Sequence, residues 1–270
     1  MKKNEEQLKL LEQGFERMRN SEEYRKYLEV MGRFYKYSAR NCIMILIQKP
    51  EATRCASFSN WKKMGRYVKK GEKAIQILCP VPRKKTVINP KTGEEETRCW
   101  TDFRIGSTFD ISQTEGEPLP EICHVLKGDV VDFPAVVKRI SSVTTAKIEF
   151  SDFAGEANGY YSPIDHKIVV KDSLPRAQQI KTLCHEVAHS LLHCEGGKFA
   201  DASQEEKELQ AESVAYVVCH ALGIDSAEYT FGYLVGWSGG ERKRFEKVLA
   251  AVHQCASEII DKMEEKGEGK

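Results

Sequence analysis

The stretch from Ile180 to His193, IKTLCHEVAHSLLH, constrains this chain more than any other. It reads as a buried helix, because Leu183, Val187, Ala188, Leu191 and Leu192 leave little of its surface polar. A helix turns once every 3.6 residues, so His185 and His189, four apart, project from one face and can share a tetrahedral metal. Glu186 stands beside the first of them, placed to take a proton from a water that the metal polarises. Zinc suits such nitrogen donors, provided a third protein ligand exists and one position stays open.

A second helix follows at a suitable distance, written EEKELQAESVAYVV from Glu205 to Val218. Glu208 and Glu212 lie four apart on it and share a face with Ala215 and Val218, which turns both carboxylates inward. Carboxylates on an apolar face are costly to bury unless a cation or an imidazole meets them. We read Glu208 as the third ligand and Glu212 as the acceptor for a ligand histidine's other N–H, since ligating imidazoles usually hand that proton to a carboxylate. The reverse assignment of the two glutamates stays open at this point. Tyr160, Tyr161 and His193 are further candidates for stabilising an oxyanion.

The chain has 270 residues, enough for two modest domains, and its net charge of +1 conceals an uneven distribution. Residues 1–120 carry 24 Lys/Arg against 16 Asp/Glu, while the rest carry 17 against 24. A basic half joined to an acidic half points to two tasks, one of them concerning a polyanion. Nine cysteines, scattered and without a CxxC pair, fit reduced thiols of a cytoplasmic protein better than a disulfide frame or a zinc ribbon. The longest apolar run, Cys42 to Ile47, is too short to span a bilayer, so no membrane partner is expected.

Amphipathic spacing predicts helices over 4–19, 22–37 and 39–48, the last begun by Ser38 as N-cap. From Arg33 to Lys91 the charge is basic and is opposed only by Glu51 and Glu72, with Phe58, Trp61 and Tyr67 interleaved. Flat side chains among cations are the footprint of a single-strand binder, in which bases stack while the cations follow the phosphates. The alternative is a solvated basic face with Trp61 and Phe58 in the core. Strands are expected at 74–79, 86–88, 96–100 and 104–111, with a turn at 89–93. In the second half we expect a helix near 135–140, strands at 147–150 and 166–171, and helices at 174–193, 204–222 and 240–262. The fold class is thus α+β with two domains, 1–125 helical with an antiparallel sheet and 126–265 zincin-like, joined between Pro120 and Asp132.

Several ordered blocks strengthen this division: YSARN from Tyr37, QKPEAT from Gln48, SFSNW from Ser57, GRYVKKGEKAI from Gly65 and FDISQTEG from Phe109. They resemble the N-terminal domain of ArdC-type antirestriction proteins over most of residues 25–120. The resemblance implies a single-stranded DNA-binding domain carried by conjugative plasmids and transposons, protecting entering DNA from restriction. By motif it implies Arg40, Asn41, Trp61, Arg66, Lys69, Lys70 and Lys73 as the DNA surface. The second half resembles the zincin-like, gluzincin-type domain of the same proteins and, more distantly, the ImmA/IrrE metallopeptidases. That resemblance implies His185, His189 and Glu208 as metal ligands, Glu186 as the catalytic base, Glu212 in the following polar slot, Zn2+ as cofactor and a protein substrate. Two other functions compete: a metalloprotease of the ImmA kind cleaving a regulator of its mobile element, and a DNA-binding factor whose metal site is purely structural.

Overall fold

The computed structural model describes residues 2–88, 95–119, 132–197, 199–224 and 242–264. The turn expected at 89–93, the domain junction and the chain after Glu264 lie outside these residues. By packing, the chain divides into two compact units, Met1–Glu12 with Ile43–Leu119 and Gln13–Cys42 with Pro120–Lys270. Both mix helix and sheet, as an α+β fold requires.

Three helices come first, α1 (Lys2–Arg17), α2 (Ser21–Arg33) and α3 (Ala39–Gln48). The side chain of Asn20 caps α2 by accepting from the amides of Glu22 and Glu23, and Asp/Glu-rich first turns suit the positive end of a helix. In the first unit the elements are β1 (Cys55–Ala56), α4 (Phe58–Lys63), β2 (Arg66–Val68), β3 (Ile75–Ile88), β4 (Glu95–Asp110) and β5 (Thr114–Gly116). Strands β1, β4 and β3 form one sheet in that order, and β2 pairs antiparallel with β5 in a separate ribbon. The four short strands expected for the hairpin are instead two long ones, paired without a break from Ile75 opposite Thr108 to Ile88 opposite Glu95. Pro80 and Pro82 obscure this in the sequence, because proline usually interrupts a strand.

Helix α4 was not anticipated. Ser57 caps it by accepting from the Asn60 amide at 3.2 Å, and Trp61 anchors it by donating its indole N–H to the Phe109 carbonyl at 2.8 Å. Asp110 then ties the strand end together: its carboxylate accepts from the amides of Thr53 at 2.8 Å, Arg54 at 2.9 Å and Ser112 at 2.9 Å. Gln113 returns the bond by accepting from the Asp110 amide at 2.9 Å.

The second unit adds α5 (Phe133–Ser141), β6 (Lys147–Phe150), β7 (Gly159–Ser162), β8 (Lys167–Val170), α6 (Arg176–Leu192), α7 (Gln204–Leu222) and α8 (Arg242–Glu264). Its sheet runs β6-β8-β7, with β6 parallel and β7 antiparallel to β8, so among the described residues β7 is an edge strand. Helix α7 is polar over its first half and largely apolar from Val214 to Cys219; Leu209, Ala211, Val214, Ala215, Val217, Val218 and Cys219 are buried, and the helix packs against α2, α6 and α8. A helix anchored in this way holds the polar side chains of its first half in fixed positions along α6. Gly223, left-handed at φ 73°, ends it in the way glycine does best. No helix among the described residues is long and apolar enough to cross a membrane.

Candidate metal centre

Helices α6 and α7 pack side by side and bring His185, His189 and Glu208 together. The two Nε2 atoms are 3.0 Å apart, and Glu208 Oε2 lies 3.2 Å from that of His185 and 3.6 Å from that of His189. A tetrahedral ion with bonds of about 2.0–2.1 Å has donors roughly 3.3 Å from one another. The three atoms therefore span one face of such a tetrahedron, and the fourth corner is left to solvent or substrate. The donor set is two imidazoles and a carboxylate, which fits a divalent transition metal better than calcium or magnesium.

The surroundings complete the arrangement. Glu212 Oε2 lies 3.2 Å from His185 Nδ1, one helical turn beyond Glu208. His193 sits one turn beyond His189 on the same face, its Nδ1 2.9 Å from His189 Nδ1. It stands behind the donor atoms and not in the cleft, so it does not face a reacting carbonyl. Tyr161 is also engaged elsewhere, its hydroxyl 3.0 Å from His166 Nδ1, whereas Tyr160 is exposed.

Charges in the group are strongly coupled. Burial alone would lower the His185 pKa, but the carboxylates of Glu208 and Glu212 hold it up to about 9. The same contacts with His185 and His189 hold the Glu208 carboxyl well below the usual carboxylate range. Glu186 is buried, and burial raises its pKa against the opposing pull of the two histidines. A carboxylate with a raised pKa is better matched to accepting a proton near neutrality. Burial pushes His193 down to about 4, so it stays a neutral imidazole.

Beside the donors opens a cleft of about 280 Å³ lined by His185, Glu186, Glu212, Lys181, Asn158 and Gly159, among others. Gly159 begins β7 where the strand runs hard against α6: an added Cβ would lie 2.6 Å from Thr182 Cγ2 and 2.8 Å from the Val169 carbonyl. Only glycine permits this approach of the strand to the helix that carries Glu186.

The residues carried over as a DNA surface are divided between the two units and differ in exposure. Trp61 is a correction: its ring is 0% exposed, so it holds the first unit together and cannot stack on a base. Arg66 is spent on the ribbon it belongs to, with Nε donating to Thr114 Oγ1 at 2.9 Å and its terminal nitrogens to the carbonyls of Thr114, Gly116 and Glu117. Lys69 donates to the Ser112 carbonyl at 3.0 Å, while Lys70 and Lys73 are exposed. Arg40 and Asn41 belong to the second unit, where Arg40 pairs with Glu246 at 2.8 Å and Asn41 is buried. The exposed aromatic residues of the first unit are Phe58, Tyr67, Trp100 and Phe103. Trp100 pairs across the hairpin with Arg83, and Arg104 follows four residues on, on the same face. Trp100 and Phe103 escaped the sequence reading because they lie outside the basic run; their signal was an aromatic pair within a strand otherwise rich in polar residues.

Residues 6–110 match the family described as the N-terminal domain of the anti-restriction factor ArdC, and residues 140–222 match the IrrE N-terminal-like peptidase domain. Both lie on one chain in that order, and the second contains every ligand candidate. The chain is an ArdC-type protein. An uncharacterized protein of Bacillus anthracis is 28% identical over 278 residues, a match that spans 87% of this chain and 47% of the relative, so the chain has about half that relative's length. The metal-free crystal structure of the antirestriction ArdC protein from plasmid R388 shares 22% identity over 84% of each chain, with a TM-score of 0.52. The Mn(II)-bound structure of the same protein shares 20% identity over 85% of each chain, with a TM-score of 0.49. At 22% identity the metal-free structure speaks to the fold alone.

Proposed function

We propose that this ArdC-type chain is a single-stranded DNA-binding antirestriction protein of a mobile element, acting in the cytoplasm, whose second domain is a zinc-dependent peptidase. The observation that carries the peptidase reading is the convergence of His185, His189 and Glu208 on one point beside a cleft that also holds Glu186. His185, His189 and Glu208 would hold the ion, and Glu212 keeps His185 oriented through Nδ1. When bound, a divalent ion supplies Lewis acidity towards a peptide carbonyl and the attacking water. Glu186 accepts the proton of that water and returns it to the leaving amine. The outer edge of β7, where the Tyr161 amide already meets Glu186, offers further backbone groups against which an extended peptide can be laid, ending at the cleft.

DNA binding is assigned to the first unit on Phe58, Tyr67, Trp100 and Phe103 as stacking groups, with Lys70, Lys73, Arg83, Lys84, Lys85 and Arg104 exposed among them. Purified protein tested for zinc content, for cleavage of a co-expressed neighbour protein, and for labelled single-stranded oligonucleotide binding separates the two activities. The reading in which the metal is purely structural is disfavoured by Glu186, since a structural site has no use for a buried carboxylate facing an open cleft. Survival of transferred DNA with His185→Ala, compared with Lys70→Ala/Lys73→Ala, decides which unit the antirestriction effect needs.

A further inference from the structure

The two candidate ligand histidines are supported differently. His185 hands Nδ1 to a carboxylate directly, 3.2 Å away on Glu212. His189 meets no carboxylate there; its Nδ1 faces the Nδ1 of another imidazole, His193, at 2.9 Å. Two such nitrogens can bond only if one is protonated and the other bare. Were His193 the donor, the His189 proton would reside on Nε2, where a lone pair is needed for an ion.

What decides the direction lies further out. His193 Nε2 is 2.8 Å from Gln210 Oε1, Gln210 Nε2 donates to Glu206 Oε1 at 3.3 Å, and Arg244 donates to Glu206 Oε2. The Glu206 side chain is 5% exposed and salt-bridged to arginine, so it is an acceptor and nothing else. Gln210 must then turn its NH2 to Glu206 and its carbonyl to His193. That carbonyl requires a proton on His193 Nε2, which leaves His193 Nδ1 bare, which in turn requires the His189 proton on Nδ1. Each bond fixes the next.

We propose that Arg244, Glu206, Gln210 and His193 form a one-directional hydrogen-bond relay that locks His189 in the tautomer with Nε2 bare and aimed at the ion site. The proposal rests on the reading that His185, His189 and Glu208 hold a divalent ion. All four are positioning residues: they act on the ion through His189 alone. The relay crosses three helices, from the end of α6 through one turn of α7 to the start of α8, and Gln210 and His193 are both buried. The Glu206 carboxylate does for His189, across two intermediaries, what Glu212 does for His185 in one contact.

The test uses the full chain stripped of metal, at about pH 8, with the histidine ring nitrogens followed by long-range proton–nitrogen correlation. Expected are His189 protonated on Nδ1 and His193 on Nε2. Glu206→Gln, which keeps the shape but can present either a donor or an acceptor, should give mixed tautomers at both rings and weaken zinc binding, measured by competition with a chromophoric chelator, by about 10–100-fold. Gln210→Leu should do the same if it folds; the measurement on the unaltered chain needs no variant. A proton on His193 Nδ1 in the unaltered chain, or tautomers unmoved in Glu206→Gln whatever happens to affinity, overturns the relay. Correct tautomers in a chain that takes up no zinc would overturn the ion site and leave the lock in place.

Discussion

Helices α6 and α7 turn their chemically useful residues towards one another, where His185, His189, Glu208 and Glu212 meet at 3.0–3.6 Å although Glu208 stays 47% exposed and is not turned inward as its helical face suggested, whereas the β3–β4 hairpin turns Trp100, Phe103, Arg83 and Arg104 outward into solvent. In the first region, position dictates chemistry: an imidazole displaced by one residue would face the wrong side of its helix. In the second, many arrangements of cations and flat rings would bind a polyanion equally well. The difference teaches that a ligand set is specified by spacing, while a binding surface is specified by which residues the fold leaves exposed.

The largest effect should come from the helical region. Glu186→Gln is expected to keep the ion and lower peptide cleavage by about 10²–10⁴-fold, the usual contribution of a positioned proton acceptor; cleavage rates alongside metal content check this. The outward region should instead reveal itself through salt. With about 5–8 phosphate contacts, affinity for a single-stranded oligonucleotide should fall by roughly 10²–10³-fold between about 50 and 200 mM salt, and Glu186→Gln should leave that slope unchanged. A flat salt response would remove the contrast between the two regions.

The buried and exposed aromatic residues offer a finer cut. Trp61→Ala should destabilise the first unit by about 3–5 kcal/mol, since it empties a fully enclosed ring site. Phe58→Ala and Trp100→Ala should each cost about 1–3 kcal/mol of DNA affinity, with stability changed by less than about 0.5 kcal/mol. Thermal melts and binding titrations on the same preparations would separate the roles. If Phe58→Ala proved as destabilising as Trp61→Ala, its 57% exposure would have misled us.

These cases also show what the sequence could and could not reveal. His185, Glu186, His189, Glu208 and Glu212 were legible because helical periodicity converts spacing into a shared face. Helix α7 was legible from Gln204 to Leu222, since Glu208, Glu212, Ala215 and Val218 recur at helical spacing. Trp61 and Arg66 were not, because a motif records that a residue is needed and not whether it is needed for packing or for contact. The relay from His193 to Arg244 was invisible for a further reason: it joins three helices through pairs such as His193 with Gln210 and Glu206 with Arg244, which only tertiary packing creates. The row His185, His189 and His193, at steps of four, was the one local sign of it.

A smaller effect concerns pH. In the metal-free chain His185 holds its proton up to about 9, so an ion must displace that proton at any lower pH. Affinity for zinc should therefore rise by at most about tenfold per pH unit towards pH 9 and level off above it, with about one proton released on binding. Calorimetry in buffers of different ionisation enthalpy would count that proton. A pH-independent affinity would mean that the carboxylates do not hold His185 charged.

The most direct test of the central claim is metal analysis of the purified chain combined with X-ray absorption at the metal edge. The account predicts one zinc per chain, with two imidazole nitrogens and at least one carboxylate oxygen at about 2.0–2.2 Å, and loss of the ion in His185→Ala and His189→Ala. A chain that remains free of metal after incubation with zinc, or one whose ion survives both substitutions, would contradict it.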